Sequence, residues 1–215
     1  MLEEGLMIDV KRAEELFRIL AEVTDQPLYE ESARIELSAT LANTALEIAR
    51  SVRILCSADQ LLGATVCLRS QFESLVRSVW TLHCASENEI KRLSIKSLTA
   101  ETAQGAKNIP LAAKMLKDLE EIPSLRNLMV ALNEFKGSAW RPLNSFVHAG
   151  LHAVVHTKFG WPPELVDQTF RMSNGLCVLA FTQIGLLNGT PGVQGEIIAL
   201  AASFSSVLPK YRDST

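Results

Sequence analysis

Three of the four histidines in this chain, His148, His152 and His156, follow one another at intervals of four residues, and Arg141 stands seven residues before the first. Imidazoles move protons near neutral pH and a guanidinium binds anions, so the combination suits work on a phosphate or carboxylate group. The spacing predicts one helix over residues 140–156. At about 100° per residue, Arg141, Asn144, His148 and His152 then share about a third of its circumference. Pro142 is expected in the first turn, which places Arg141 beside free backbone amides at the positive end of the helix dipole, a natural anion site. Asn144 and His148, one turn apart, can bond to each other and fix a histidine tautomer. The plainer alternative makes Arg141 a surface residue and His148 a histidine satisfied by a neighbouring helix.

The same residues argue against a metal. With a rise of about 1.5 Å per residue, His148 and His156 lie about 12 Å apart and cannot share one ion. An i, i+4 pair can chelate, but zinc needs a third protein ligand, and no carboxylate is spaced on this helix to supply it. The chain also lacks the Glu-x-x-His pattern of helical di-iron bundles. No metal and no cofactor are expected. His156 is expected to interact with terminal carbonyls of its helix, and His83, beside Cys84, to pack or cap near the end of an earlier one.

A second constellation lies upstream. On a helix over residues 59–85, Leu61, Thr65, Leu68, Phe72, Leu75, Val76 and Val79 form an apolar arc, which Leu62, Val66 and Trp80 widen to about half the circumference. Arg69 and Glu73 fall inside that arc, whereas Ser70, Ser74, Ser78 and Thr81 occupy the face expected to meet water. Three readings are open for the charged residues: they form a partly buried pair with each other or with groups on a neighbouring helix, they orient a site shared with the histidine helix, or they face solvent.

The elements that position these residues are expected to be helical throughout. Apolar residues recur with helical spacing over residues 8–23, 28–58, 59–85, 87–106, 111–121, 124–136, 140–156, 164–187 and 193–208, with Asp59 as a cap, and strand alternation is absent. Pro110 and Pro123 set off the two short helices, and Gly137-Ser138 and the stretch 159–163 read as breaks. No linker divides the 215 residues. The expected fold is therefore all-α, a single-domain antiparallel helical bundle over residues 1–215 with shorter accessory helices and a frayed tail from about 209.

Composition narrows the function classes. Hydrophobic residues make up 47% of the chain and charged residues 21%, which excludes general disorder. The net charge of -3 and pI near 5.9 argue against binding to duplex DNA or an anionic membrane, both of which need excess Lys and Arg. Cys56, Cys67, Cys84 and Cys177 sit in apolar stretches without zinc or redox spacing and read as reduced core residues. The acidic Met1-Leu2-Glu3-Glu4 start, with no apolar signal core behind it, leads to an expected cytoplasmic location. The apolar run 176–187 is too short to span a bilayer.

An arginine followed after six residues by a histidine, on a helix of an all-helical bundle, resembles the motif of the HEPN superfamily, the nucleotide-binding and ribonuclease domains of many bacterial toxins and phage-defence proteins. Asn144-Ser145-Phe146-Val147-His148-Ala149-Gly150, with Arg69 and Glu73 on an earlier helix, is also similar to uncharacterised bacterial helical-bundle families related to that group. The resemblance is confined to these two helices. It implies metal-independent RNA cleavage in which Arg141 holds the scissile phosphate and His148 transfers protons, with Asn144, Arg69, Glu73 and His152 in support. It also implies a homodimer, since such sites are commonly completed across a dimer interface. Pro142 departs from the pattern, because superfamily members usually carry a polar residue directly after the arginine, and this leaves ligand binding or a lost activity open. Two rivals stand beside the resemblance. One is a non-catalytic module that binds a protein partner or a small ligand, favoured by the net acidity and by Pro142. The other is a metal enzyme using a histidine pair, disfavoured by the missing carboxylate.

Overall fold

A computed structural model describes residues 8–94 and 109–210, together with positions 97, 99, 102 and 104. Among them the regular elements are helices. The first three are α1 (Val10–Val23), α2 (Ala33–Ser57) and α3 (Leu61–His83). After the short α4 (Glu87–Leu93) come α5 (Ala112–Glu120), a 3-10 turn at Pro123–Leu125 and the long α6 (Arg126–Val147). The chain continues through α7 (Leu151–Phe159), α8 (Pro163–Leu187), α9 (Val193–Ala202) and a closing 3-10 turn at Ser205–Val207.

Local chemistry sets several of the boundaries. The Asp9 carboxylate accepts the Arg12 amide at 2.9 Å to start α1, and the Ser32 hydroxyl accepts from Ile35 N at the start of α2. Ser86 and Glu89 close a reciprocal capping box at α4. Pro163 opens α8 at a position where a missing N–H costs nothing, and Gly160, with φ +95°, makes the turn before it.

The frame is α2, α3 and α8 packed together. Helices α2 and α3 form an antiparallel hairpin, since Ser38 meets Ser78 and Leu41 meets Ser74 across it. Ala42, Ala45 and Ala49, all fully buried, let the two backbones approach closely. Helices α1 and α9 rest on α8, α5 and α6 rest on α3, and α7 packs on α6. One continuous apolar core joins α1 to the last 3-10 turn, with Phe72, Leu75, Leu116, Leu132 and Phe170 buried inside it. Helix α8 is long and apolar enough to cross a membrane, yet 56% of its most apolar window is buried against its neighbours, as befits a core helix.

The expected all-α bundle is observed, and several of its details differ. Gly137-Ser138 does not break the chain: α6 runs straight through it, because a buried stripe of Met129, Leu132, Phe135, Ala139, Leu143 and Phe146 continues on both sides. The break comes instead at residues 148–150, so the stretch 140–156 belongs to two helices. Ala149 adopts φ +49° there, and the Gly150 amide bonds to Ser145 O at 2.7 Å. A Cβ on Gly150 would stand 2.7 Å from Ser145 Oγ, so a larger residue here would displace that hydroxyl from its bond to the His152 amide. Asp59 is not a cap, since it takes φ +56° and Gln60 precedes the first helical residue. The helix expected over residues 87–106 ends at Leu93, and much of its second half lies outside the described residues, as does the tail from 211.

The largest correction concerns the face of α3 assigned to water. Ser74, Ser78 and Thr81 are buried, as is Gln71, while Leu62 of the supposed apolar arc is exposed. Small polar residues on this face pack against α2 and α8, where Ser74, Ser78 and Gln71 find hydrogen-bond partners, while the buried Thr81 hydroxyl has none among the described residues. Ser38 Oγ donates to Ser78 O at 2.9 Å, Ser78 Oγ donates to Ser38 O at 2.7 Å, and Gln183 Nε2 donates to Ser38 Oγ at 3.1 Å. One turn or two further along, Ser74 Oγ donates to Leu41 O, Gln71 Nε2 to Ser173 O and Ser173 Oγ to Gln71 Oε1. Hydropathy alone reads such residues as surface, whereas hydrogen-bonded in pairs they can be buried at little net cost.

Candidate functional site

The expected constellation is only partly assembled. Arg69 and Glu73, one turn apart on α3, form an ion pair in which Arg69 Nε donates to Glu73 Oε1 at 2.8 Å. Arg69 Nη1 also donates to Asn144 Oδ1 on α6 at 2.9 Å, and its guanidinium lies 3.7 Å from the centre of the Trp140 ring. Phe72 supports that ring edge-on and stacks on Phe135 with centroids 4.4 Å apart. The pair is half-buried rather than enclosed, with 14% of the Arg69 side chain and 36% of that of Glu73 exposed. Of the three readings, a partly buried pair in contact with α6 describes what is seen.

Arg141, Asn144 and His148 occupy positions i, i+3 and i+7 of α6 and therefore one face, with the carboxamide of Asn144 drawn toward Arg69. Arg141 and His148 are both exposed. Two expectations fail here. Pro142 stands inside α6, sixteen residues past Arg126, so Arg141 has no helix N-terminus beside it and the dipole argument for an anion site is withdrawn. His148 is the C-cap of α6, and among the described residues its imidazole has no hydrogen-bond partner, while Asn144 Oδ1 accepts from Arg69.

His152 belongs to α7. Its exposed ring meets Phe146 edge-on at 5.8 Å, and its amide donates to Ser145 Oγ at 3.0 Å. His156 stacks on Trp161 at 4.8 Å and places Nδ1 3.2 Å from Gly160 O, the expected contact with a helix-end carbonyl. These two histidines thus join an aromatic cluster with Phe146 and Trp161 at the α6–α7 corner. His83 sits in the last turn of α3, where its buried Nε2 has no partner and burial lowers its pKa. Among the described residues no three His, Cys, Asp or Glu side chains gather as a metal cluster.

The cysteines are unpaired. Cys56 and Cys177 are buried and Cys67 and Cys84 half-buried. Desolvation raises the pKa of Cys56 to about 12 and that of Cys177 to about 11, which keeps both as thiols at neutral pH.

Two residues went unnoticed in the sequence. Trp140 supplies the face on which Arg69 rests. Arg53 is buried at 6% exposure on α2, in line with Ala42, Ala45, Ala49 and Cys56, so an arginine on a small-residue face was the signal that could have revealed it.

The strip on α6 can therefore do limited chemistry. It offers the Arg141 guanidinium, unpaired among the described residues, one guanidinium neutralised by Glu73, a carboxamide whose N–H groups remain able to donate, and an exposed imidazole. No curated protein and no solved structure matches the chain. Residues 42–210, from the middle of α2 to the end of the described chain, match a family of unknown function, and the chain belongs to that family, DUF6988.

Proposed function

We propose that this protein is an HEPN-like helical bundle that binds RNA or a nucleotide through the α6 strip, with Arg141 and Asn144 on the phosphate and His148 beside them as a proton-transfer group. The observation that carries the reading is the bond from Arg69 to Asn144 Oδ1, which turns the Asn144 amide protons away from α3 while Arg141 and His148 flank it, exposed, on the same face. Metal-independent cleavage of the kind found in bacterial toxin and phage-defence systems is the activity this arrangement would support. A second copy is the natural partner for a strip this open. Leu151, Val154 and Phe159 are all more than half exposed on the adjoining α7, and their association would enclose it. The unpaired cysteines suit a reducing, cytoplasmic setting.

The rival reading, a non-catalytic binding module, is favoured by one observation: His148 lacks the partner that would fix its tautomer. A single experiment separates the two. Purified protein is incubated with labelled single-stranded RNA in chelator, and binding and cleavage are both followed. Cleavage lost in His148→Ala with binding kept supports catalysis, since a placed proton-transfer group contributes about 10²- to 10⁴-fold to rate. Binding without cleavage that weakens in Arg141→Ala supports the module, and RNA neither bound nor cut removes both RNA readings.

A further inference from the structure

A cleft of about 540 Å³ opens between α1 and the C-terminal half of α2, lined by none of the residues of the α6 strip. Its walls divide by chemistry. Val10, Phe17, Ile54 and Ala58 are apolar, Arg18, Arg50 and Arg53 are cationic, and Glu14 contributes the one carboxylate.

The arginines differ in what holds them. Arg18 is paired with Glu22 at 2.6 Å. Arg50 and Arg53 have no carboxylate within ion-pairing distance among the described residues. They flank Phe17 instead, with guanidinium carbons 5.1 and 4.7 Å from its centroid, while Phe181 meets the same ring edge-on. Arg53 is the unusual one. It is 94% buried by its residual exposure of 6%, and its guanidinium reaches only Cys177 Sγ, at 4.0 Å. A thiol is a weak acceptor, and burial keeps Cys177 protonated, so it supplies no compensating charge. Buried cations are ordinarily paired with a carboxylate or an anion, and this one lines a cavity of ligand size.

We infer that this cleft is a binding site for a small amphipathic anion, whose head group is held by Arg53 and Arg50 and whose apolar body lies against Phe17, Ile54 and Val10. A planar guanidinium matches a carboxylate or a phosphate with two parallel hydrogen bonds, and either head group satisfies the site. Glu14 at the wall favours a single small anionic head over an extended polyanion, which sets this ligand apart from nucleic acid. Helix α1 precedes the matched residues 42–210, so one wall of the cleft comes from outside the part of the chain that defines the family.

Calorimetric titration of the full chain with octanoate, octyl phosphate, octanol and inorganic phosphate tests the assignment. Saturable one-to-one binding of octanoate or octyl phosphate is expected, the stronger of the two identifying the head group, with octanol and inorganic phosphate at least about tenfold weaker. Phosphate alone binding as tightly as octyl phosphate, or neither octyl anion binding saturably, overturns it. Arg53→Met should lose at least about tenfold in affinity while its unliganded thermal midpoint stays level or rises, since a buried charge without a partner has been removed. Unchanged affinity in that variant refutes the site. If Arg53→Met does not fold, Ile54→Glu decides: Ile54 is 67% exposed, so the substitution leaves the core alone and sets a carboxylate at the mouth of the cleft. Octanoate binding that survives Ile54→Glu overturns the proposal, and its loss supports it.

Discussion

At the scale of single residues, Arg69 shows how one side chain can serve three partners at once. It pairs with Glu73, donates to Asn144 and rests on Trp140, and each contact uses a different part of the guanidinium. Replacing it with alanine removes all three and leaves Asn144 without its anchor. The expected loss is about 1 to 3 kcal/mol, the sum being limited by the partial exposure of the pair. Glu73→Gln keeps the shape and the contact and should cost no more than about 1 kcal/mol. Urea unfolding of the two variants checks the ordering, and a larger loss for Glu73→Gln than for Arg69→Ala would show that the ion pair, and not the ring and the amide, carries the interaction.

Among the elements, α6 is the one whose sequence speaks against its structure. Pro142 removes a backbone donor and crowds the carbonyl of Ser138, four residues earlier, and the helix nonetheless continues for another turn and more. It does so because the apolar stripe from Met129 to Phe146 packs on α3 on both sides of the proline, while Ser138 is exposed and its carbonyl can turn to water. Pro142→Ala should therefore stabilise the protein by about 1 to 3 kcal/mol, measured as a higher urea midpoint with unchanged slope. No change, or a loss, would mean that the local backbone set by Pro142 is needed to seat Leu143 and Phe146.

The same helix shows where reading the sequence succeeded. Periodicity located nearly all the helices, and of the readings left open for Arg69 and Glu73 the structure shows the ion pair and the contact with α6. Local rules then misplaced the ends of α6, because glycine and proline mark breaks only where tertiary packing does not override them. The true break at 148–150 rests on a left-handed alanine and on the approach of Gly150 to Ser145, neither of which has a distinctive sequence signature. His152 consequently moved to α7, Arg141 lost its place at a helix start, and Arg53 escaped notice because attention fell on histidines.

At the scale of the whole molecule, the joint between α2, α3 and α8 is built from hydroxyls and carboxamides with no ionised group between Ser38, Ser78 and Gln183. Ser78→Ala alone removes the bond that the Ser78 hydroxyl gives to the Ser38 carbonyl and leaves a small buried gap, and should cost about 1 kcal/mol. The triple change Ser38→Ala, Ser78→Ala and Gln183→Leu removes every partner together. It should cost clearly less than the sum of its parts, and thermal unfolding of the three single variants and the triple measures the difference. Strict additivity would show that the three side chains act independently. The exchange between Ser38 and Ser78 has a geometric consequence as well. It closes only when these two positions face each other; a slip of α3 by one helical turn, about 5.4 Å, would set Ser38 against Leu82 or Ser74 and take the Ser78 hydroxyl away from the Ser38 carbonyl. The two serines thus work as an alignment key for α3. Arg69 rides on that helix nine residues before Ser78, about 13.5 Å along the axis, so a pair of hydroxyls deep in the bundle determines the height at which a surface arginine meets Asn144.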